Sequence, residues 1–190
     1  MRSEDLFAAT LAEAIALHQR AAGNAQPVLD AARTIVEAIR GGGKLLLFGN
    51  GGSAADAQHV AAELVGRFER ERRALPAIAL TVDTSIITAV ANDDAFDRVF
   101  TRQIEALGRA GDVAFGISTS GRSPNVVQAL DAARLLKLKT IALTGRDGGP
   151  VGAAAGIHIN VPSDSTARAQ EVHRTLLHVI CDLVERAFEY

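Results

Sequence analysis

The sequence predicts an α/β protein: a three-layer α/β/α sandwich around a five-stranded, parallel, doubly wound sheet, preceded by two helices. Three observations carry that prediction. Short apolar runs at 44–48, 77–81, 113–117, 140–143 and 157–161 alternate with amphipathic stretches of helical period. The composition is 48% hydrophobic but only 4% aromatic, with no Trp, which suits helices rich in Ala, Val, Leu and Ile packed on a parallel sheet. The chain of 190 residues is long enough for one domain with a full core and too short for two comfortable ones, so a single domain over 1–190 is expected.

Each element has its own justification. Helical segments at roughly 4–22 and 27–40 are split by "GNAQP" and closed by "GGGK", where glycine past a helix end supplies the left-handed cap. The buried strand "LLLF" (45–48) runs into "GNGGS" and then a helix carrying Ser53, Asp56, His59 and Glu63. The second strand leads to "TVDTS", the third to "STSGRSPN" and the fourth to "TGRDGG". After the third, Ser123 is a natural N-cap and Pro124 suits the first helical position, opening a helix to about residue 137. A fifth strand and the segment "ARAQEVHRTLLHVICDLVE" complete the chain. A βαβ rhythm implies right-handed crossovers, which bring the polar and glycine-rich loops to the carboxyl edge of the sheet, where such folds bind ligands.

The formal net charge of −2 advertises no nucleic-acid partner, and none is expected. The single Cys181 rules out an intrachain disulfide framework and suits a reducing compartment. "MRSEDLFAATLAEAIALHQR" interleaves charges with apolar residues and has no signal-peptide or membrane-spanning run, so a cytoplasmic protein without a membrane partner is expected.

The loops carry the chemistry. In "GNGGSAADAQHV" the glycines let backbone approach a ligand, and the helix behind them offers unpaired N–H groups to an anion. A phosphate fits, although Gly49, Gly51 and Ala54 also match the loose G-x-G-x-x-A of a dinucleotide fold, and a purely structural turn is a third reading. Ser118, Thr119, Ser120 and Ser123 gather four hydroxyls around one glycine, which can surround a phosphate without a cation. No G-K-[ST] follows, against a P-loop. His59 and Glu63, four apart, share a helix face opposite Ala57, Ala61, Leu64 and Phe68. In the last helix Gln170 and His178 fall toward the polar side, whereas His173 lies in the apolar stripe and reads as a hydrogen-bonded core histidine. The run "RFERERR" reads as solvated charge at Arg70, Arg72 and Arg73.

Taken together, "GNGGSAADAQHVAAE", "LPAIALTVDTSIITAVANDD", "STSGRSPN" and "ARAQEVHRTLLHVICDLVE" resemble the sugar isomerase (SIS) domain family, a flavodoxin-like fold, and within it the phosphoheptose isomerases. The resemblance spans nearly the whole chain. It implies an aldose-ketose isomerase acting on D-sedoheptulose 7-phosphate, in a homotetramer with active sites between subunits and residues 1–40 as the helical oligomerisation segment. It assigns Glu63 as general base and His178 as its acid/base partner. The phosphate falls to Ser118, Thr119, Ser120 and Ser123, and the sugar to Asn50, Gly51, Gly52, Ser53, Glu63, Asn92, Asp93 and Gln170. One Zn²⁺ per subunit is implied on His59, Glu63, Gln170 and His178, where the metal and base roles of Glu63 compete. Arg67, one turn beyond Glu63, is implied as a site or interface residue. Ala167 and Asp94 depart from the family pattern. Noncatalytic members tend to carry arginine at the position of Ser120 and to lack His178, so both residues favour an enzyme. A phosphosugar-sensing regulator would need an attached DNA-binding module, and residues 1–40 are neither basic nor arranged as a helix-turn-helix. An oxidoreductase using Asp83 on a dinucleotide leaves "STSGRSPN" unexplained.

Overall fold

The computed structural model describes residues 2–189. Two helices, α1 (Ser3–Ala22) and α2 (Gln26–Arg40), precede the alternating elements β1 (Leu45–Gly49), α3 (Gly52–Val65), β2 (Ala77–Ala79) and α4 (Thr84–Asp93). A 3₁₀ turn, Phe96–Arg98, leads to α5 (Thr101–Leu107), β3 (Val113–Ser118), α6 (Pro124–Leu135), β4 (Lys139–Gly145), α7 (Gly149–Ala154), β5 (Ile157–Val161) and α8 (Thr166–Arg186). All five strands pair in parallel, in the order β2-β1-β3-β4-β5.

Strand alternation sorts the core into two halves, because successive side chains leave opposite faces of a sheet. Leu45, Leu47, Val113, Phe115, Ile117, Ile141 and Leu143 pack beneath α1, α2, α3 and α8. Leu46, Phe48, Ala114 and Ala142 point the other way, to α5, α6 and α7. Both faces are therefore covered, which explains why the central strands read as unbroken apolar runs rather than alternating ones. This is the three-layer sandwich that the strand pattern predicts.

Local signals set most boundaries. Gly42, at φ 84°, supplies the left-handed residue just beyond α2. Asp83 caps α4, its Oδ1 accepting from the Ile86 amide at 2.9 Å, so the acidic residue after β2 has a structural task. Ser165 caps α8 by accepting from the Arg168 amide. Two predicted elements are shorter than the pattern suggests. β2 stops at Ala79 rather than reaching residue 81, and α3 ends at Val65 with Gly66 as its C-cap, so Phe68 and Arg67 lie outside the helix. Among the described residues, no helix is long and apolar enough to cross a membrane.

Candidate active site

The strand order reverses between β1 and β3, and the loops leaving those two strands diverge there into a crevice. Gly49 pairs with Ile117 in register, placing "GNGGS" beside "STSGRSPN". Gly51 turns at φ 56°, a conformation open to glycine at little cost. A reciprocal amide pair joins the two loops: each Nδ2 of Asn50 and Asn125 donates to the other's Oδ1 at 2.9 Å. Asn50 thus braces the crevice through its side chain, and Ser53 is buried in the first turn of α3. In the second loop Ser118 Oγ lies 3.0 Å from Ser123 Oγ and 3.3 Å from Ser120 Oγ, and the Arg122 amide donates to Ser120 Oγ at 3.1 Å. Ser123 occupies the N-cap position as expected, but its hydroxyl faces Ser118 and does not cap the helix. The loop thereby keeps its hydroxyls together at the positive end of the twelve-residue α6, the electrostatics that favour a phosphate. Thr119 stands half-buried in the same loop.

The polar faces of α3 and α8 meet inside one chain; no subunit boundary is needed to bring them together. His59 Nε2 lies 2.7 Å from His178 Nε2, and Glu63 Oε1 lies 3.6 Å from His59 Nε2. At that separation one imidazole donates and the other accepts, so a hydrogen bond joins the two rings. The Phe68 ring packs 5.4 Å from the His178 ring, centre to centre. Gln170, two turns before His178, crosses to the start of α3 and lies so close over Gly52 that a Cβ there would collide with its amide. A cleft of about 630 Å³ opens between these helices and α1, lined by Gly52, Gln170 and His178 together with His18, Asp56 and Arg174.

His18 and Arg174 extend the site beyond the sequence reading, which places Asp56 on the helix behind the glycine turn. Arg174 donates from Nε (3.1 Å) and Nη2 (2.6 Å) to the buried Asp56 carboxylate. His18 Nδ1 lies 2.8 Å from the Ala14 carbonyl, which only accepts, so Nδ1 carries a proton, while Nε2 lies 2.9 Å from the Thr175 hydroxyl. The i, i+4 spacing of Gln170, Arg174 and His178 was available as a signal for Arg174; nothing local pointed to His18.

A SIS domain family profile matches residues 11–145. A phosphoheptose isomerase of Geobacter sp. (strain M21) is 58% identical over 165 residues, 86% of each chain. The chain is a member of the phosphoheptose isomerase family. The structure of a phosphoheptose isomerase from Neisseria gonorrhoeae superposes on this isomerase with a TM-score of 0.92 at 46% identity, covering 97% of this chain and all of that one. That from Francisella tularensis gives 0.94 at 38% identity, over 98% of this chain and 100% of its own.

Within the isomerase, the two imidazoles and the carboxylate at His59, His178 and Glu63 are donors that zinc takes, and Gln170 borders the same cleft. Among the described residues they are not already arranged around a common metal point, because the two histidines bond to each other. Asn92 and Asp93 sit exposed at the end of α4, with Asn92 Nδ2 donating to Asp93 Oδ1 at 2.7 Å. Asp94 pairs with Arg98 at 3.4 Å, and Ala167 borders the cleft. His173 is fully buried as expected: its Nε2–H donates to the Thr144 carbonyl at 2.9 Å, and burial holds its pKa below the usual imidazole range against the opposing pull of that carbonyl and of Asp56. Cys181 is inert, its thiol pushed up to about 12 by burial and by the carboxylates of Glu63 and Glu185.

The arginine run departs from its solvated reading at Arg72, which is buried, and in part at half-buried Arg70, whereas Arg73 is exposed. Arg67 is exposed, paired with Glu71 rather than placed on the face of Glu63. Arg70 pairs with Asp182 and Glu189, and Arg73 lies over the Phe188 ring. Arg72 is buried against Glu185, with neither side chain exposed. A charge run read from sequence alone carries no sign of a carboxylate waiting on a distant helix.

Proposed function

We propose that the chain converts D-sedoheptulose 7-phosphate to D-glycero-D-manno-heptose 7-phosphate through a cis-enediol, the first step toward a nucleotide-activated heptose such as ADP-heptose or GDP-heptose. The observation that carries this reading is the meeting of Glu63, His59 and His178 on α3 and α8, in a chain whose β3 end gathers the hydroxyls of Ser118, Ser120 and Ser123.

The 7-phosphate sits among Ser118, Thr119, Ser120 and Ser123 at the start of α6. Binding there, remote from the reacting carbons, holds C1 and C2 at the other end of the sugar against α3 and α8. Asn50, Gly51, Gly52, Ser53, Asn92, Asp93 and Gln170 contact the sugar hydroxyls. Glu63 removes a proton from C1 of the ketose while the C2 oxygen takes one from His178. The resulting enediol loses its O1 proton to His178 and gains a proton at C2 from Glu63, leaving the aldose. Atoms and charge balance without a redox partner. His59, 2.7 Å from His178 and 3.6 Å from Glu63, holds the two groups side by side. Zinc, held by His59, Glu63, Gln170 and His178, supplies Lewis-acid polarisation of the sugar carbonyl when bound.

The working unit in this reading is a cytoplasmic homotetramer of one SIS domain over 1–190, with residues 1–40 in the assembly. Support comes from α1, which leaves Leu6, Phe7, Leu11 and Ile15 about half or more exposed, an apolar stripe that a partner subunit would cover. Turnover of sedoheptulose 7-phosphate by purified protein, with and without added Zn²⁺ and beside Glu63→Gln, tests the reading. Isomerisation that falls by roughly a hundredfold or more in the variant is expected. Absence of turnover by folded, zinc-supplied protein would overturn it.

A further inference from the structure

The least expected feature of the chain is the buried pair Arg72–Glu185. Arg72 Nε lies 3.3 Å from Glu185 Oε1, and both side chains are wholly removed from solvent. The carboxylate also receives three consecutive backbone N–H groups, from Phe68 (2.9 Å), Glu69 (2.7 Å) and Arg70 (2.8 Å). Arg72 in turn donates from Nη1 to the carbonyls of Gly66 and Arg73, both at 3.0 Å, and from Nη2 to the carbonyl of Glu63 at 2.7 Å. Two buried charges thus fold the segment 66–73 into a clasp between the end of α3 and the last turns of α8.

The clasp ends on the two groups that do the chemistry. One arm closes on the backbone of Glu63 itself, in the final turn of α3, where carbonyls have no partner within the helix. The other arm fixes Phe68, whose ring packs against His178. Glu185 stands seven residues after His178, two helical turns along the same side of α8, so the anchor and the acid/base group ride on one rigid element. A segment that only needed burial could be held by apolar residues, which frequently serve stability as well as or better than a buried ion pair. A charge pair with directional hydrogen bonds fixes position as well as contact.

Resting on the isomerase reading above, we infer that Arg72 and Glu185 are positioning residues for the reaction: they set where Glu63 and His178 stand relative to each other, without touching the sugar. The variants Glu185→Gln and Arg72→Lys keep volume while removing, respectively, the charge and the guanidinium fork. The substrate is sedoheptulose 7-phosphate, unlabelled and deuterated at C1, and rates are taken per folded site after thermal melts. Each variant is expected to lower kcat by roughly tenfold to a hundredfold, the scale of an ångström-sized misplacement. KM should stay within about threefold, because the phosphate loop lies elsewhere in the fold, and the deuterium isotope effect should rise as proton transfer becomes slower. The double variant should fall no further than the worse single one, as expected for two members of one unit. If Glu185→Gln does not fold, Arg72→Lys carries the test. Unchanged kcat and isotope effect in folded variants of an active parent would make the clasp structural only and overturn the inference by itself. An inactive parent would instead sink the isomerase reading, and the inference with it.

Discussion

Replacing Gly52 by Ala tests the crevice at its tightest point. Gly52 opens α3 with ordinary backbone geometry, so the substitution meets no left-handed strain and gains intrinsic helix propensity of up to about 1 kcal/mol. Against that gain stands the amide of Gln170. A Cβ at Gly52 would lie 2.8 Å from its Cδ and 3.0 Å from its Oε1, and nearer still to Nε2. Ordinary contact begins at about 3.5 Å, so the amide must retreat by about 1 Å. Overpacking of this kind costs typically 1–3 kcal/mol in a tight core, and less here because Gln170 is only half-buried and its end can swing. Net stability should therefore change by less than about 2 kcal/mol. Activity should not be spared if Gln170 holds the sugar as proposed: a displacement of that size then costs up to about a hundredfold in kcat/KM. Steady-state turnover of sedoheptulose 7-phosphate alongside chemical denaturation checks both numbers. Adding Gln170→Asn, one methylene shorter, should relieve the crowding and restore stability without restoring turnover. A Gly52→Ala variant with kcat/KM within twofold of the parent would refute the placement of Gln170 in the working site.

Two further predictions follow from single side chains. Ser123→Ala should cost less than the roughly 0.5–2 kcal/mol of a lost N-cap, because its hydroxyl makes no cap bond, yet it should raise KM for the sugar phosphate roughly tenfold, the worth of one hydrogen bond to a charged group. His173 has a folded pKa below its unfolded value near 6.5, so as pH falls through about 6.5 the unfolded chain takes up a proton that the folded chain refuses and stability drops. Denaturation of the parent and of His173→Gln at several values between pH 7.5 and 5 should show the flatter profile in the variant; parallel profiles would refute the assignment.

What the sequence made legible depended on range. The strands of the central sheet were readable because a sheet covered on both faces needs apolar residues at every position, as in Leu45 to Phe48. The loops at the switch point were readable because glycine and hydroxyl residues cluster only where backbone must turn or bind. Gln170 and His178 could be placed on one face of α8 by spacing alone. Arg72 could not be placed, because its partner Glu185 lies on α8 at the far end of the chain and only tertiary packing brings the two together. The bond between His59 and His178 spans 119 residues and was equally invisible as a contact. The end of α3 was misjudged for the same reason: Phe68 continues the helical period in sequence, but the three amides held by Glu185 draw the chain off the helix after Val65.

The amide pair between Asn50 and Asn125 has a consequence for how such a protein can change over generations. Each side chain satisfies the other, and Asn125 is almost wholly buried, so altering one alone strands a donor and an acceptor at a cost of about 1–3 kcal/mol for each buried group. That is a sizeable part of the stability of an ordinary domain. Replacing both together by apolar residues of matching shape avoids the penalty. A lineage can therefore leave this arrangement only by a double step or through a weakened intermediate, and two loops 75 residues apart are bound to share one mutational history.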